Sequence, residues 1–263
     1  MIGDAQPRSA MMTTEPRNVE TDNAAPAALT LLRSAQRLHV EDLGAMSYQQ
    51  AFELQRRWRD DVQRLREQSD NRDAPCLGAL LLVEHDPPVI TISRRPGVRD
   101  HLIATAEQLT AAGVVVEETD RGGDITYHGP GQLVAYPIID LQRLGQNLHA
   151  YMRMLEEIVL VVCERFGVSG RRDSAATGVW VDGAKLCAMG VRVRRWVTMH
   201  GLALNVDPNM RHFDLIVPCG LAGRSVTSLA GLMGDAAPPM DEVKRALVEA
   251  FEAELTARMN QRD

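Results

Sequence analysis

What this chain lacks narrows its nature. No apolar run in its 263 residues approaches the roughly 18 to 20 that cross a bilayer. Residues 1–30 are rich in Ala, Pro, Thr, Asn and Arg, and they carry no apolar core of a secretory signal. The four cysteines, Cys76, Cys163, Cys187 and Cys219, form no CxxC pair and no disulfide-framework spacing, so a reducing cytoplasm is the expected location. There is no Walker-type phosphate loop and no compact His/Cys/carboxylate grouping of metal-ligand spacing. Nor is there an excess of positive charge: 29 Lys and Arg against 35 Asp and Glu leave a net charge of −6. That balance argues against a general nucleic-acid binder. Internal repeats and a regular βαβ alternation are also missing.

What is present is ordinary for one large globular domain. Hydrophobic residues make up 45% of the chain and charged residues 24%. Residues 1–30 are expected to form a disordered extension, with Met11 and Met12 leaving room for a later start, and residues 31–263 a single folded domain. Ser47 and Gln50 are spaced as a capping box ahead of a helix whose Tyr48, Ala51, Phe52, Trp58, Val62 and Leu65 largely share one face. Cys76–Glu84 and Val89–Ile92 have strand character and flank Asp86-Pro87-Pro88, so the two are expected to pair antiparallel. Thr105 and Gln108 open a short helix ending at Gly113. A clean helical stripe runs from Leu148 to Phe166 and ends at Gly167. Asp182-Gly183 between two strand-like runs is a strong hairpin signal, and a last amphipathic helix covers Asp241–Met259. Hairpins mixed with longer helices give an α+β fold, an antiparallel-rich mixed sheet with helices packed on it.

The chemistry concentrates at Arg121-Gly-Gly-Asp-Ile-Thr-Tyr-His-Gly-Pro-Gly-Gln132, directly before the buried-looking run Leu133–Leu141. Glycines there let backbone turn sharply or let a ligand approach closely. Among the cysteines, Cys163 lies on an apolar helical stripe and Cys76 starts an apolar strand, so both read as core. Cys187 is two residues from Lys185 in a strand, which puts both side chains on one face and makes Cys187 a rival nucleophile. Cys219 sits between Pro218 and Gly220, an approachable setting for an acyl-accepting thiol. Spacing alone favours Cys219 over Cys187 without excluding either. Lys185 alone reads as an exposed lysine just past a hairpin turn, and His200 and His212 are the obvious alternative bases.

The glycine-rich stretch running into Leu133-Val-Ala-Tyr136 resembles the signature of the lipoyl(octanoyl) transferases, the octanoyltransferases of lipoate biosynthesis. Gly183-Ala-Lys-Leu-Cys-Ala-Met-Gly190, His200-Gly-Leu-Ala-Leu-Asn205, Pro218-Cys-Gly220 and Val226-Thr-Ser-Leu229 agree with that family in order. The resemblance spans roughly residues 31–235. It implies a biotin/lipoate protein ligase-like fold, with Cys219 as the acyl-thioester nucleophile. It further implies Lys185 as the acid/base that also lowers the thiol's pKa. The substrate-binding positions it implies are Arg121, Gly122, Gly123, Asp124, Ile125, Thr126, Tyr127 and His128, with Ala188, Met189, Gly190, Gly201, Leu202 and Ala203. His128 either orients the loop, bonds near the thioester or is structural.

The implied donor is octanoyl-acyl carrier protein, and the implied acceptors are lipoyl domains of 2-oxoacid dehydrogenases and the glycine cleavage H protein. A thioester is already activated, so neither ATP, a metal nor an organic cofactor is implied. Arg192, Arg194 and Arg195 are candidate contacts for the acidic carrier. Two other readings stand beside this one: an ATP-dependent lipoate ligase on the same fold, and a non-catalytic binder of acyl chains or carrier proteins.

Overall fold

Strand β1 (Leu38–Met46) hands the chain to helix α1 (Tyr48–Gln68), which returns it to β2 (Gly78–His85) parallel to β1. The computed structural model describes residues 37–68, 76–174, 176–217 and 224–261; the expected extension, residues 1–30, lies outside them. The capping box forms: the Ser47 amide donates to Gln50 Oε1 and the Gln50 amide to Ser47 Oγ, each at 3.4 Å. Then come β3 (Val89–Ser93), α2 (Ala106–Ala112), β4 (Val115–Thr119), β5 (Ile125–His128) and β6 (Gln132–Ile139). A short α3 (Leu141–Leu144) and the long α4 (Leu148–Arg165) precede β7 (Arg171–Arg172), β8 (Val179–Val181), β9 (Ala184–Arg194) and β10 (Val197–Asn205). The chain closes with α5 (Leu229–Met233) and α6 (Met240–Asn260).

Among the described residues the strands form two sheets. The larger runs β1-β2-β6-β10-β9-β8-β7 and the smaller β4-β3-β5. Alternation along the large sheet fills two cores. Leu80, Leu82, Leu133 and Ala135 face α4 and α6, whose Leu155, Val159, Leu247 and Phe251 complete that layer. Ala79, Leu81, Val83 and Val134 face the opposite way, against Trp58, Val62 and Leu65 of α1. Each of the Leu, Val and Phe side chains contributes about 1.5–3 kcal/mol when fully buried. A central strand covered on both faces must be apolar throughout, which is why β6 reads as one continuous run.

The small sheet differs. Ile90, Ile92, Ile125 and Tyr127 pack onto Val98, Val114, Phe213 and Ile216. In β5, Thr126 and His128 alternate with Ile125 and Tyr127, so they face the other way, toward the large sheet.

The expected antiparallel pairing of Cys76–Glu84 with Val89–Ile92 does not occur. β2 already has β1 and β6 on its two edges, while β3 pairs with β4 and β5 in the other sheet. Pro87 and Pro88 have no N–H with which to carry a ladder through the connection. The Asp182-Gly183 hairpin does form, with φ of 47° and 83°, the left-handed pair that a two-residue primed turn requires. No helix of the described residues is long and apolar enough to cross a membrane.

Candidate active site

A pocket opens where the small sheet and the loop before it meet β6, β9 and β10. Arg121, Gly123, Thr126 and His128 line one side; Lys185, Ala188, Met189 and Gly190 a second; His200, Gly201, Leu202 and Ala203 a third. Tyr48 from α1, with Val134 and Tyr136 from β6, completes the wall. About 510 Å³ of empty space lies between these atoms, part of it open to solvent. Val134, Ala188, Met189, Leu202 and Ala203 give the lining its apolar surface, and two tyrosines, two histidines, an arginine and a lysine give it its polar groups.

Close backbone approach shapes the cavity. The Gly122 amide donates to Val191 O at 3.0 Å, docking the loop on β9. A Cβ on Gly190 would lie 2.6 Å from Gly122 O, and one on Gly201 would lie 2.3 Å from Ala135 O. Arg121 is bound along the wall, donating through Nη2 to Thr91 O at 3.0 Å and Thr91 Oγ1 at 2.9 Å.

Oriented neutral rings stand in and behind the polar lining. His85 Nδ1 lies 3.0 Å from Met46 O, which can only accept, so that nitrogen carries the proton. His85 Nε2 must then accept from Tyr136 Oη, 2.6 Å away. Burial pushes the His85 pKa down to about 4, so the ring is neutral at pH 7. His200 bonds through Nε2 to Asp120 Oδ1 at 2.8 Å, and its amide donates to Gln55 Oε1 at 2.8 Å. Burial first, then the Arg121 and Arg192 charges, hold His200 below its ordinary value.

Lys185 is only 9% exposed, far from the exposed hairpin lysine that spacing alone suggests. Its Nζ stands 4.7 Å from the centroid of the Trp180 ring, and Arg224, bonded to Asp173 at 2.7 Å, stacks 3.6 Å from the same ring. The segment after residue 223 is bound to its backbone. The Lys185 amide donates to Ser225 O at 2.9 Å, and the Thr227 amide donates to Lys185 O at 3.0 Å.

Arg-Gly-Gly-x-x-Thr-Tyr-His-Gly-Pro-Gly therefore supplies a pocket wall. A family model described as the lipoyl protein ligase A/B catalytic domain matches residues 47–252. The chain belongs to that family.

Within the lipoyl protein ligase A/B family, the octanoyltransferase of Chloroflexus aggregans is 48% identical to this chain over 217 residues, covering 81% of this chain and 93% of the relative. The octanoyltransferase of Flavobacterium johnsoniae is 40% identical over 230 residues, covering 83% and 98%. The bi-partite lipoate protein ligase of Thermoplasma acidophilum superimposes with a TM-score of 0.60 at 16% identity, covering 84% of this chain and 85% of that one. Lipoate-protein ligase A bound with ATP gives 0.57 at 15% identity, covering 84% and 85%. At these identities the two structures share the fold, and the α+β class with its ligase-like architecture follows.

Of the substrate-binding positions implied by the family resemblance, Gly122, Asp124, Ile125 and Tyr127 do not line the pocket. Ile125 and Tyr127 belong to the small sheet's own core, Gly122 docks the loop, and Asp124 pairs with Arg95 at 2.9 Å. His212 lies on the far side of that sheet, with Nδ1 3.0 Å from Tyr127 Oη. Tyr48 and Val134 line the pocket without having been singled out for it, and His85 stands behind Tyr136. Tyr48 is 73 positions from Arg121 (121 − 48), and no local pattern links it to the loop.

Cys187 does not share a face with Lys185. Trp180 pairs with Lys185 but Val179 with Cys187, so β9 carries an extra residue there and the alternation breaks. Cys187 lies in the α4/α6 core, where burial pushes its thiol far up. Burial also raises Cys76 and pushes Cys163 up to about 12. All three are protonated, inaccessible thiols. Cys219 lies outside the described residues.

Proposed function

We propose that this protein transfers an octanoyl group from octanoyl-acyl carrier protein to the ε-amine of a lysine on a lipoyl domain, through a thioester on Cys219. The observation that carries the reading is 48% identity to an octanoyltransferase across 93% of that enzyme's length. The pocket agrees with it: Val134, Ala188, Met189, Leu202 and Ala203 offer an apolar wall to a straight acyl chain, beside a buried lysine.

The candidate nucleophile follows by chemistry. Attack on a thioester needs a thiolate, and the three other thiols are buried in apolar surroundings. Cys219 is six positions before Ser225 (225 − 219), whose carbonyl accepts from the Lys185 amide. In the first half-reaction the Cys219 thiolate attacks the octanoyl carbonyl, and the departing phosphopantetheine sulfur takes a proton from the Lys185 ammonium. In the second, the acceptor amine attacks the enzyme thioester and gives one proton to Lys185. Cys219 leaves as thiolate. Exchanging a thioester for a more stable amide is downhill, so the scheme requires no ATP.

The exposed tip of the β9–β10 hairpin is the carrier's proposed landing point. Arg194 and Arg195 are exposed there, and Trp196 is 52% exposed beside them. Arg192, grouped with them in the sequence, is instead paired with Asp120, which also bonds His200. It therefore belongs to the support of the pocket. The test is a transfer assay: purified protein, octanoyl-acyl carrier protein and a lipoyl domain, without nucleotide. The intact mass of the domain should rise by one octanoyl group, and an absolute requirement for ATP and free octanoate would contradict the reading.

A further inference from the structure

His128 is held from behind in one tautomer. The Thr227 carbonyl can only accept, so Asn205 turns Nδ2 toward it at 2.8 Å. Asn205 Oδ1 then accepts from Gln132 Nε2 at 2.9 Å, and the same nitrogen donates to Tyr127 O at 3.3 Å. Gln132 is left with Oε1 as an acceptor, 2.8 Å from His128 Nδ1, so Nδ1 carries the ring's proton. The other nitrogen, Nε2, is a bare lone pair with no partner among the described residues, on a ring that forms part of the pocket wall. Burial, with His85 and Arg121 nearby, keeps a second proton off the ring. Such a group cannot donate to a carbonyl oxygen or an oxyanion. It can only accept.

The two half-reactions differ in what they bring to such an acceptor. A thioester has no N–H or O–H at its reacting carbon, whereas a primary amine presents N–H groups on the attacking atom itself. We propose that His128 Nε2 accepts a hydrogen bond from the ε-amine of the incoming lysine and so turns the amine lone pair toward the acyl carbon. This rests on the octanoyl-transfer reading above. The neutral amine carries two N–H groups. One proton passes to Lys185 as the C–N bond forms and the C–S bond breaks, and the other stays on the product amide. His128 gains and loses no proton.

The relay behind the ring ties this role to Lys185. Thr227, whose carbonyl anchors Asn205, also donates its amide to Lys185 O at 3.0 Å. The acceptor for the amine and the residue that takes its proton are thus linked by hydrogen bonds that run through Gln132, Asn205 and Thr227.

The test separates the half-reactions in single turnover with the full chain. Octanoyl-acyl carrier protein loads the enzyme, and the isolated octanoyl-enzyme is mixed with a lipoyl domain. His128→Leu should slow transfer to the lysine about 100-fold and loading far less, as expected for a misplaced nucleophile. His128→Gln puts an amide oxygen near the Nε2 position and should recover most of the loss. Gln132→Met removes the acceptor that fixes the tautomer and should give an intermediate loss confined to transfer; it carries the same test if His128→Leu does not fold. Equal slowing of both steps, slowing of loading alone, or a Gln variant no better than Leu would overturn the assignment. An octanoyl-enzyme that never forms in the wild type would defeat the underlying reading and the inference with it.

Discussion

Gly190 stands directly opposite Gly201 in the β9–β10 ladder, and neither has room for a Cβ. One is pressed by the loop carbonyl of Gly122 and the other by the β6 carbonyl of Ala135. The nearest obstacle to each is backbone, which cannot rotate aside as a flexible side chain does, and Gly201 also faces the Pro137 ring at 2.5 Å. Gly201→Ala should therefore cost about 1–3 kcal/mol of stability by denaturant melt, the range for overpacking a filled interior. Gly190→Ala should displace the Arg121 loop and raise KM for the acyl donor more than it lowers stability. Unchanged melts and kinetics in both variants would show that the sheet yields easily.

Acid should weaken this fold before its carboxylates titrate. Burial lowers the pKa of His85 from 6.5 to about 4, and His128, His200 and His212 shift the same way for the same first reason. An unfolded chain binds these protons near pH 6.5 while the native state refuses them, so stability is lost as pH falls from about 6.5 toward 4. His85 alone accounts for roughly 3 kcal/mol of that loss once pH is below both values. Urea melts at pH 7.0, 6.0 and 5.0 should show a steady fall in unfolding free energy. A flat profile over that window would mean that the rings accept protons in place.

The hairpin tip should serve docking rather than folding. Arg195 and Trp196 occupy the left-handed region, with φ of 49° and 68°, without a glycine between them. Arg194→Glu with Arg195→Glu should raise KM for octanoyl-acyl carrier protein about tenfold and flatten its salt dependence. A small octanoyl thioester should be used nearly as before. Equal losses with both donors would place the defect in the pocket.

Much of this architecture is legible in the sequence because it is local. Capping residues mark α1 and α2, Asp182-Gly183 marks a turn that needs two positive φ angles, and the apolar runs mark β2 and β6. What is not local is not legible. β1 has the charged Glu41 and Asp42 in its middle and acquires its identity only by lying against β2. The separation of β2 from β3 depends on edges already taken by other strands. At the site, the glycine-rich loop announces itself, but Tyr48 arrives from α1, and an extra residue in β9 sends Cys187 away from Lys185. Which side of a strand faces a pocket depends on such single-residue irregularities.

Removing the lysine charge should change thiol chemistry. Lys185→Met keeps the stem's approximate bulk against Trp180 but loses the ammonium 4.7 Å from the ring centroid. Iodoacetamide modification of Cys219, followed by peptide mass, should shift to higher pH in this variant, since a neighbouring cation favours the thiolate. Identical pH profiles in the two proteins would separate Lys185 from the thiol.

In the proposed reaction the octanoyl group passes through a covalent bond to Cys219. Wild-type protein incubated briefly with octanoyl-acyl carrier protein, without nucleotide and without a lipoyl domain, should gain one octanoyl group by intact mass. Hydroxylamine should remove it, and peptide mapping should place it on Cys219. Cys219→Ala should gain none. Octanoylation that persists in Cys219→Ala, or a wild type that transfers to lipoyl domains while never acquiring the adduct, would contradict the account.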